Sequence, residues 1–327
     1  MPAKPTTIYR NLLREAWALT WHRKSLWVFG LFAACISTGG VVEIVWRAVA
    51  RVQTGAVSLS QMLNHSFPGY ELFGRYLREW TVLPTDQVTI LVTLYILIGV
   101  AVLVAALVSQ AALVKGVHAL RPFTLNEAIA ASRGHFPHVL SLALLSKIAY
   151  AILFALAVLP LALLQISNPP LEALIAFLIF VVFVVAAVAV GVISMIALIE
   201  IVRENRHAID GIHAGWKLFR EHWIACMEYG LLLFVVVLVG GLAVFAGLTL
   251  VSIPFAILLL LSILSGSPFL FALMNTVGTI LFFTIIFSYV GASVVYQYAA
   301  WMLFFDRSLL RGPGRLQAKV RRLWAKR

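Results

Sequence analysis

His207, Asp210 and His213 stand at three-residue steps in the run RENRHAIDGIHAGWKLFREHW at 203–223. Imidazole and carboxylate groups at such steps can share one helical face and ligate zinc. A structural zinc site takes four ligands, and no fourth stands at a fixed spacing. On a helical wheel His213 falls beside an apolar stripe while Asp210 points away from it. The expectation is therefore that these residues bind no metal and form the polar face of an interfacial helix. Lys147 and Glu228 pose a different question, because each is a lone charge inside a long apolar run. Charges at such depth face a bundle interior, paired or wet, and mark proton or substrate paths when they are functional. An ion pair between them is the expected arrangement, with a proton or substrate site, or Lys147 reaching back to the interface, as the alternatives. Lys115 and Glu200 sit at matching ends of two further runs, where they form either a second pair or ordinary flanking charge. Gln110, Asn275 and Gln297 are candidate interhelical hydrogen-bond partners. The runs hold no HExxH, GxSxG, phosphate-binding glycine loop or paired aspartates, so neither a catalytic residue nor a cofactor is expected.

The elements that carry these residues are apolar. Of 327 residues 62% are hydrophobic and 12% charged, with a mean hydropathy of +0.98. Soluble domains carry about a quarter charged residues, so this composition belongs to the membrane class. A span takes about 20 apolar residues to cross roughly 30 Å of hydrocarbon. Ser25–Val42, Val88–Val114, Val139–Gln165 and Ala173–Ile199 qualify. The stretch Tyr229–Phe305 holds no charged residue or histidine and is read as two more spans, about 223–250 and 277–304. Between them Ser252–Pro254 and Ser265–Pro268 flank a short apolar segment, expected to be a half-helix at the outer surface or against the bundle. Phe32-Ala33-Ala34-Cys35 imitates a lipoprotein cleavage box, although an uncleaved first span suits its long basic head better. Cys35 and Cys226 are expected to stay unbridged.

Lysine and arginine mark cytoplasmic loops. Segments 1–24, 115–138, 200–222 and 306–327 carry five, three, four and eight of them. The alternate connections carry four at 43–87 and none at 166–172 or 252–275. An all-α protein of six spans with both termini inside satisfies every loop. The Asn64-His65-Ser66 triplet and the amphipathic run Leu72–Trp80 then fall in the outer loop.

The segments before the odd spans resemble one another: NLLREAWALTWHRKSLW at 11–27, LNEAIAASRGHFPHVL at 125–140 and HAIDGIHAGWKLFREHWI at 207–224. In the third, Ile209, Ile212, Trp216, Phe219 and Trp223 form one helical stripe. In the first, Tyr9, Leu13, Trp17 and Trp21 do so, and in the second Leu125, Ile129 and Phe136. Trp17, Trp21, Phe136, Trp216, Phe219 and Trp223 are the expected interfacial anchors. The chain thus divides into three parallel repeats, 6–114, 123–200 and 206–305, each an interfacial amphipathic helix followed by a transmembrane hairpin, within a single membrane domain.

On the residues Ala208–Trp223 and, more faintly, Leu125–His138, the chain resembles a family of bacterial six-span proteins that includes the membrane domain of some glycerophosphodiester phosphodiesterases. That resemblance implies a cytoplasmic-membrane location. It implies no phosphodiesterase activity, because nothing here is long or polar enough to supply the family's soluble catalytic barrel.

The basic tail 306–327 sets Leu316, Val320, Leu323 and Trp324 against Arg315, Lys319, Arg321 and Arg322. Anionic membrane lipid is its expected partner, each basic residue contributing about 1 kcal/mol near the surface. Nucleic acid is not expected, since the +12 charge is also the inside signal. The function expected is non-enzymatic: organising or sensing the bilayer, or scaffolding partners, through the interfacial helices. A transporter or channel using Lys147 and Glu228 is the alternative, followed by an intramembrane lipid-modifying enzyme.

Overall fold

Inside a bilayer the backbone finds no water to bond, so long apolar runs close their hydrogen bonds within helices. The computed structural model describes residues 5–36, 85–118, 127, 129–130, 132, 134–163 and 169–309, and every regular element among them is helical. In chain order these are α1 (Pro5–His22), α2 (Leu26–Ala34), α3 (Thr85–His118), α4 (Phe136–Leu163), α5 (Pro169–Glu204), α6 (Ala208–Leu264) and α7 (Pro268–Phe304), closed by a π-helical turn at Phe305–Leu309. Five of them, α3 to α7, are long and apolar enough to cross a membrane. The expected first span is described only as α2, whose 9 residues rise about 14 Å. Its continuation, the outer loop with Asn64-His65-Ser66 and Leu72–Trp80, and the tail bearing Arg315, Lys319, Arg321 and Arg322 lie outside the described residues, as does Leu125 of the second repeat.

The end of the fifth span differs from expectation. Helix α6 continues through Pro254 to Leu264, and the chain turns only at Ser265–Ser267, where Gly266 has φ +64°. A proline frees a carbonyl of the preceding turn, but hydroxyls close to it act within the same helix. Thr249 Oγ1 donates to Phe245 O at 3.0 Å and Ser252 Oγ to Thr249 O at 2.8 Å. Ser267 then caps α7, its side chain accepting from Leu270 N, with Pro268 in the first turn. Helix α6 is 57 residues long, about 85 Å, and is not one straight element: the backbone leaves helical geometry at His222 (φ −128°, ψ 26°). That break divides α6 into residues 208–221 and the apolar run that follows.

The chain divides into two units, and α3 and α6 contribute to both. The first comprises Met1–Cys35, Val108–Gly134 and Arg220–Arg327. Here α2 crosses α7 at Gly30 and Gly291, so closely that a Cβ on Gly30 would meet the Gly291 backbone and one on Gly291 the Trp27 carbonyl. Small residues of this kind let membrane helices touch, since lipid is as apolar as leucine and only packing and hydrogen bonds favour association. Tyr229 Oη donates to Ala300 O at 2.9 Å, Tyr229 stacks on Phe304 with centroids 4.3 Å apart, and Tyr289 Oη donates to Val237 O at 2.8 Å. These ties join the α6 span to α7.

The second unit comprises Ile36–Leu107 and His135–Phe219. Its core is the α4–α5 hairpin, built on Tyr150, Ala157, Ala176, Phe183 and Ala187. Tyr150 Oη donates to Ala187 O at 3.2 Å, and the Ser146 and Ser194 hydroxyls share a bond of 2.9 Å. Long apolar side chains such as Ile96 and Leu97 on α3 face outward. A soluble protein rarely exposes so much contiguous apolar surface; acyl chains cover it in a membrane.

Candidate functional site

Charged, aromatic and histidine side chains lie along α1 and along α6 ahead of its break at His222. In α1 the face turned to the protein is Leu12, Ala16 and Thr20, all buried, one position from the expected Tyr9–Leu13–Trp17–Trp21 stripe. Helix α1 packs on α7, where Trp17 meets Tyr296 edge-on at 6.0 Å. Trp17 is nevertheless 54% exposed and Trp21 exposed beside it, so the indoles flank the buried stripe rather than form it. The end of α1 is closed by side chains: Thr20 Oγ1 donates to Ala16 O at 2.8 Å, Trp27 Nε1 to Thr20 O at 3.0 Å, and His22 Nδ1 lies 2.7 Å from Ala18 O. His22 therefore caps a helix. Arg23 donates to the Gly116 carbonyl at the end of α3.

The part of α6 before the His222 break repeats this logic with smaller residues. Ala208, Gly211 and Gly215 are buried. A Cβ on Gly215 would approach Ile193 O of α5 to 2.9 Å, and one on Gly211 would meet the Ile201 side chain. Ile209 is 66% exposed, Trp216 52%, and Trp223 also exposed. Phe219 is half-buried, 6.4 Å from Trp216 between ring centroids. Phe136, the remaining anchor, is half-buried at the first position of α4. Asp210 and His213, about 60° apart on the wheel, line one open surface groove together with Arg206, Ala214 and Lys217. Arg206 Nε stands 3.5 Å from Glu200 Oε2, and Glu200 is only 7% exposed. His207, just before the helix, meets His138 edge-on at 4.8 Å. Among the described residues no group of three or more His, Cys, Asp or Glu has the arrangement of a metal site.

The isolated charges take partners within their own units. Lys147, in the second unit, donates Nζ to Ile36 O at 3.0 Å. Glu228, in the first, accepts from Tyr9 Oη at 3.4 Å. Burial, and then the Glu228 carboxylate, push the Tyr9 hydroxyl up to about 12. Glu200 has Arg206 as its ion-pair partner, while Lys115 is half-buried near the end of α3. Cys35 is exposed and Cys226 buried, and both are free thiols.

Sequence reasoning missed the clasp on the π-helical turn. Consecutive residues there reach different elements: Asp306 Oδ2 lies 3.6 Å from His118 Nδ1 of α3, and Arg307 Nη2 lies 2.7 Å from Glu15 Oε1 of α1. Nothing local signals these pairs, because Arg307 and Glu15 are 292 residues apart. The Gly211/Gly215 face was legible in principle as a GxxxG spacing inside the quoted run. No family model, curated protein or solved structure matches this chain.

Proposed function

We propose that this chain is a non-enzymatic multi-pass protein of the bacterial cytoplasmic membrane that organises or senses the bilayer, or scaffolds partners, through its interfacial helices. It has six spans as three parallel repeats and both termini inside. The observation that carries this reading is the shared seating of two interfacial helices. Each lays a buried face on the end of an even-numbered span, Leu12, Ala16 and Thr20 of α1 on α7 and Ala208, Gly211 and Gly215 of α6 on α5, and leaves its tryptophans outward. In a three-repeat ring the first helix would rest on the last span and the third on the span before it, which is this relation. Outward indoles at the level of the basic segments suit the headgroup boundary, where tryptophan is favoured.

The transporter reading takes Lys147 and Glu228 as its site. Their bonds to a carbonyl and a tyrosine hydroxyl, in separate units, favour local structural roles over a shared path. An intramembrane enzyme would need clustered acids or histidines around one cavity. Anionic lipid at Arg315, Lys319, Arg321 and Arg322 belongs to the same proposal as the interfacial helices.

Nitroxide labels introduced as Trp216→Cys and Trp223→Cys in a Cys35→Ser, Cys226→Ser background of the reconstituted protein test it. Accessibility to oxygen and to a water-soluble nickel chelate should place both labels at the headgroup boundary, and proteoliposomes should carry no protein-dependent ion flux. Labels in bulk water, or a flux abolished by Lys147→Met, would overturn the reading.

A further inference from the structure

The groove on the polar side of the α6 interfacial helix has a charge pattern that selects a ligand. At about 100° per residue, Asp210, His213 and Lys217 fall within about 60° of one another, and Ile209 and Trp216 occupy the adjoining sector. The polar stripe therefore runs directly beside the exposed apolar edge, as a lipid headgroup site at the boundary requires. Arg206 is turned toward the buried Glu200, an ion pair at 3.5 Å that fixes one end of the groove. Asp210 and Lys217 are both exposed and neither has an ion pair among the described residues. With Arg206 and Glu200 balancing each other, the free charges of the groove are one carboxylate and one ammonium, with His213 between them in sequence. An anionic headgroup would meet Lys217 but be repelled by Asp210. A zwitterion carrying both a phosphate and a protonated amine satisfies both groups.

We infer that this groove binds the headgroup of an aminophospholipid, the phosphate on Lys217 and the ammonium on Asp210. The inference rests on the interfacial placement of α6 proposed above and adds the class of lipid. A primary ammonium offers N–H donors to the Asp210 carboxylate, whereas the trimethylated ammonium of a choline lipid offers none, and charge-assisted hydrogen bonds are the strong ones. Phosphatidylethanolamine is therefore preferred over phosphatidylcholine, and over phosphatidylglycerol as well. The same chemistry exists in soluble form as phosphoethanolamine. The lipid is the occupant because Ile209 and Trp216 offer its acyl chains a surface beside the groove.

Native mass spectrometry of the full-length protein in detergent, titrated separately with the three lipids, tests this. Wild type should bind phosphatidylethanolamine about 10-fold more tightly than phosphatidylcholine, the scale of one charge-assisted hydrogen bond. Asp210→Asn should erase that preference and raise phosphatidylglycerol binding, and Lys217→Gln should weaken all three. Both positions are exposed, so neither substitution disturbs a core. Equal wild-type binding of the ethanolamine and choline lipids, or an unchanged preference in Asp210→Asn, would overturn the assignment. A phosphatidylglycerol preference in the wild type would reduce the site to an anion site and overturn it too. Displacement of the lipid by millimolar phosphoethanolamine would overturn the choice of lipid as occupant. The nitroxide measurement at position 216 separates the two ideas: a boundary label with no lipid preference sinks the headgroup site alone, whereas a label in bulk water sinks the interfacial reading beneath it.

Discussion

Tyr9 shows how a residue read for one property can serve through another. By sequence it belongs to the apolar stripe of α1; in the fold its ring packs 5.8 Å from Tyr229 and its hydroxyl reaches Glu228, 219 residues away. Removing that donor by Tyr9→Phe should cost about 0.5–1.5 kcal/mol, the usual net worth of one hydrogen bond, measured by denaturant unfolding in micelles. The pH dependence has a definite sign. A tyrosine ionises near 10 when unperturbed, and in the folded protein Tyr9 is held up to about 12. Its stabilising contribution is thus complete below about pH 10 and is lost as pH rises through about 12, because the folded state holds the proton that the unfolded state releases. Tyr9→Phe should lack this alkaline component, and an identical alkaline loss in both proteins would refute the assignment. Glu228 itself was legible as a lone charge in an apolar run. Its partner was not, because the tyrosine lies in the first helix and pairing at such separation is set by how helices cross.

At the scale of elements, glycine positions decide which helices touch. Gly291→Val would drive a side chain against the Trp27 carbonyl, and Gly215→Val one against Ile193 O. Each should destabilise by about 1–3 kcal/mol, as overpacking of a close contact does. The two should differ in what loosens. Gly291→Val acts on the α2–α7 crossing and should lower the global unfolding midpoint. Gly215→Val acts on the part of α6 before the His222 break and should chiefly increase protease cleavage at the 205–207 connection. Equal midpoints and equal cleavage in all three proteins would show that neither contact forms. The helical character of α1, α6 and the spans was legible from periodicity and apolar length. The face each one buries was not: the bulky residues that draw the eye, Trp17 and Trp216, lie outward, and Ala16, Gly211 and Gly215 lie inward. In water the largest apolar residues are buried first; against lipid that preference vanishes, and close packing of small residues takes its place.

For the whole molecule, the charge distribution predicts an orientation. Cysteines introduced as Asn205→Cys and Ser66→Cys in the cysteine-free background should respond oppositely to a membrane-impermeant maleimide. Position 66 should label in intact cells and position 205 only after the membrane is opened. Labelling of both from one side would contradict six spans with both termini inside. Composition and apolar run lengths were sufficient to read a helical membrane protein with long apolar helices, because each depends on properties that accumulate along a contiguous stretch. Only the tertiary structure decided that Lys147 bonds a backbone carbonyl and that Asp306 and Arg307 clasp two separate elements. These outcomes depend on the rotation and crossing of helices about their axes. Bilayer insertion constrains that rotation weakly, and contacts between residues far apart in the chain settle it.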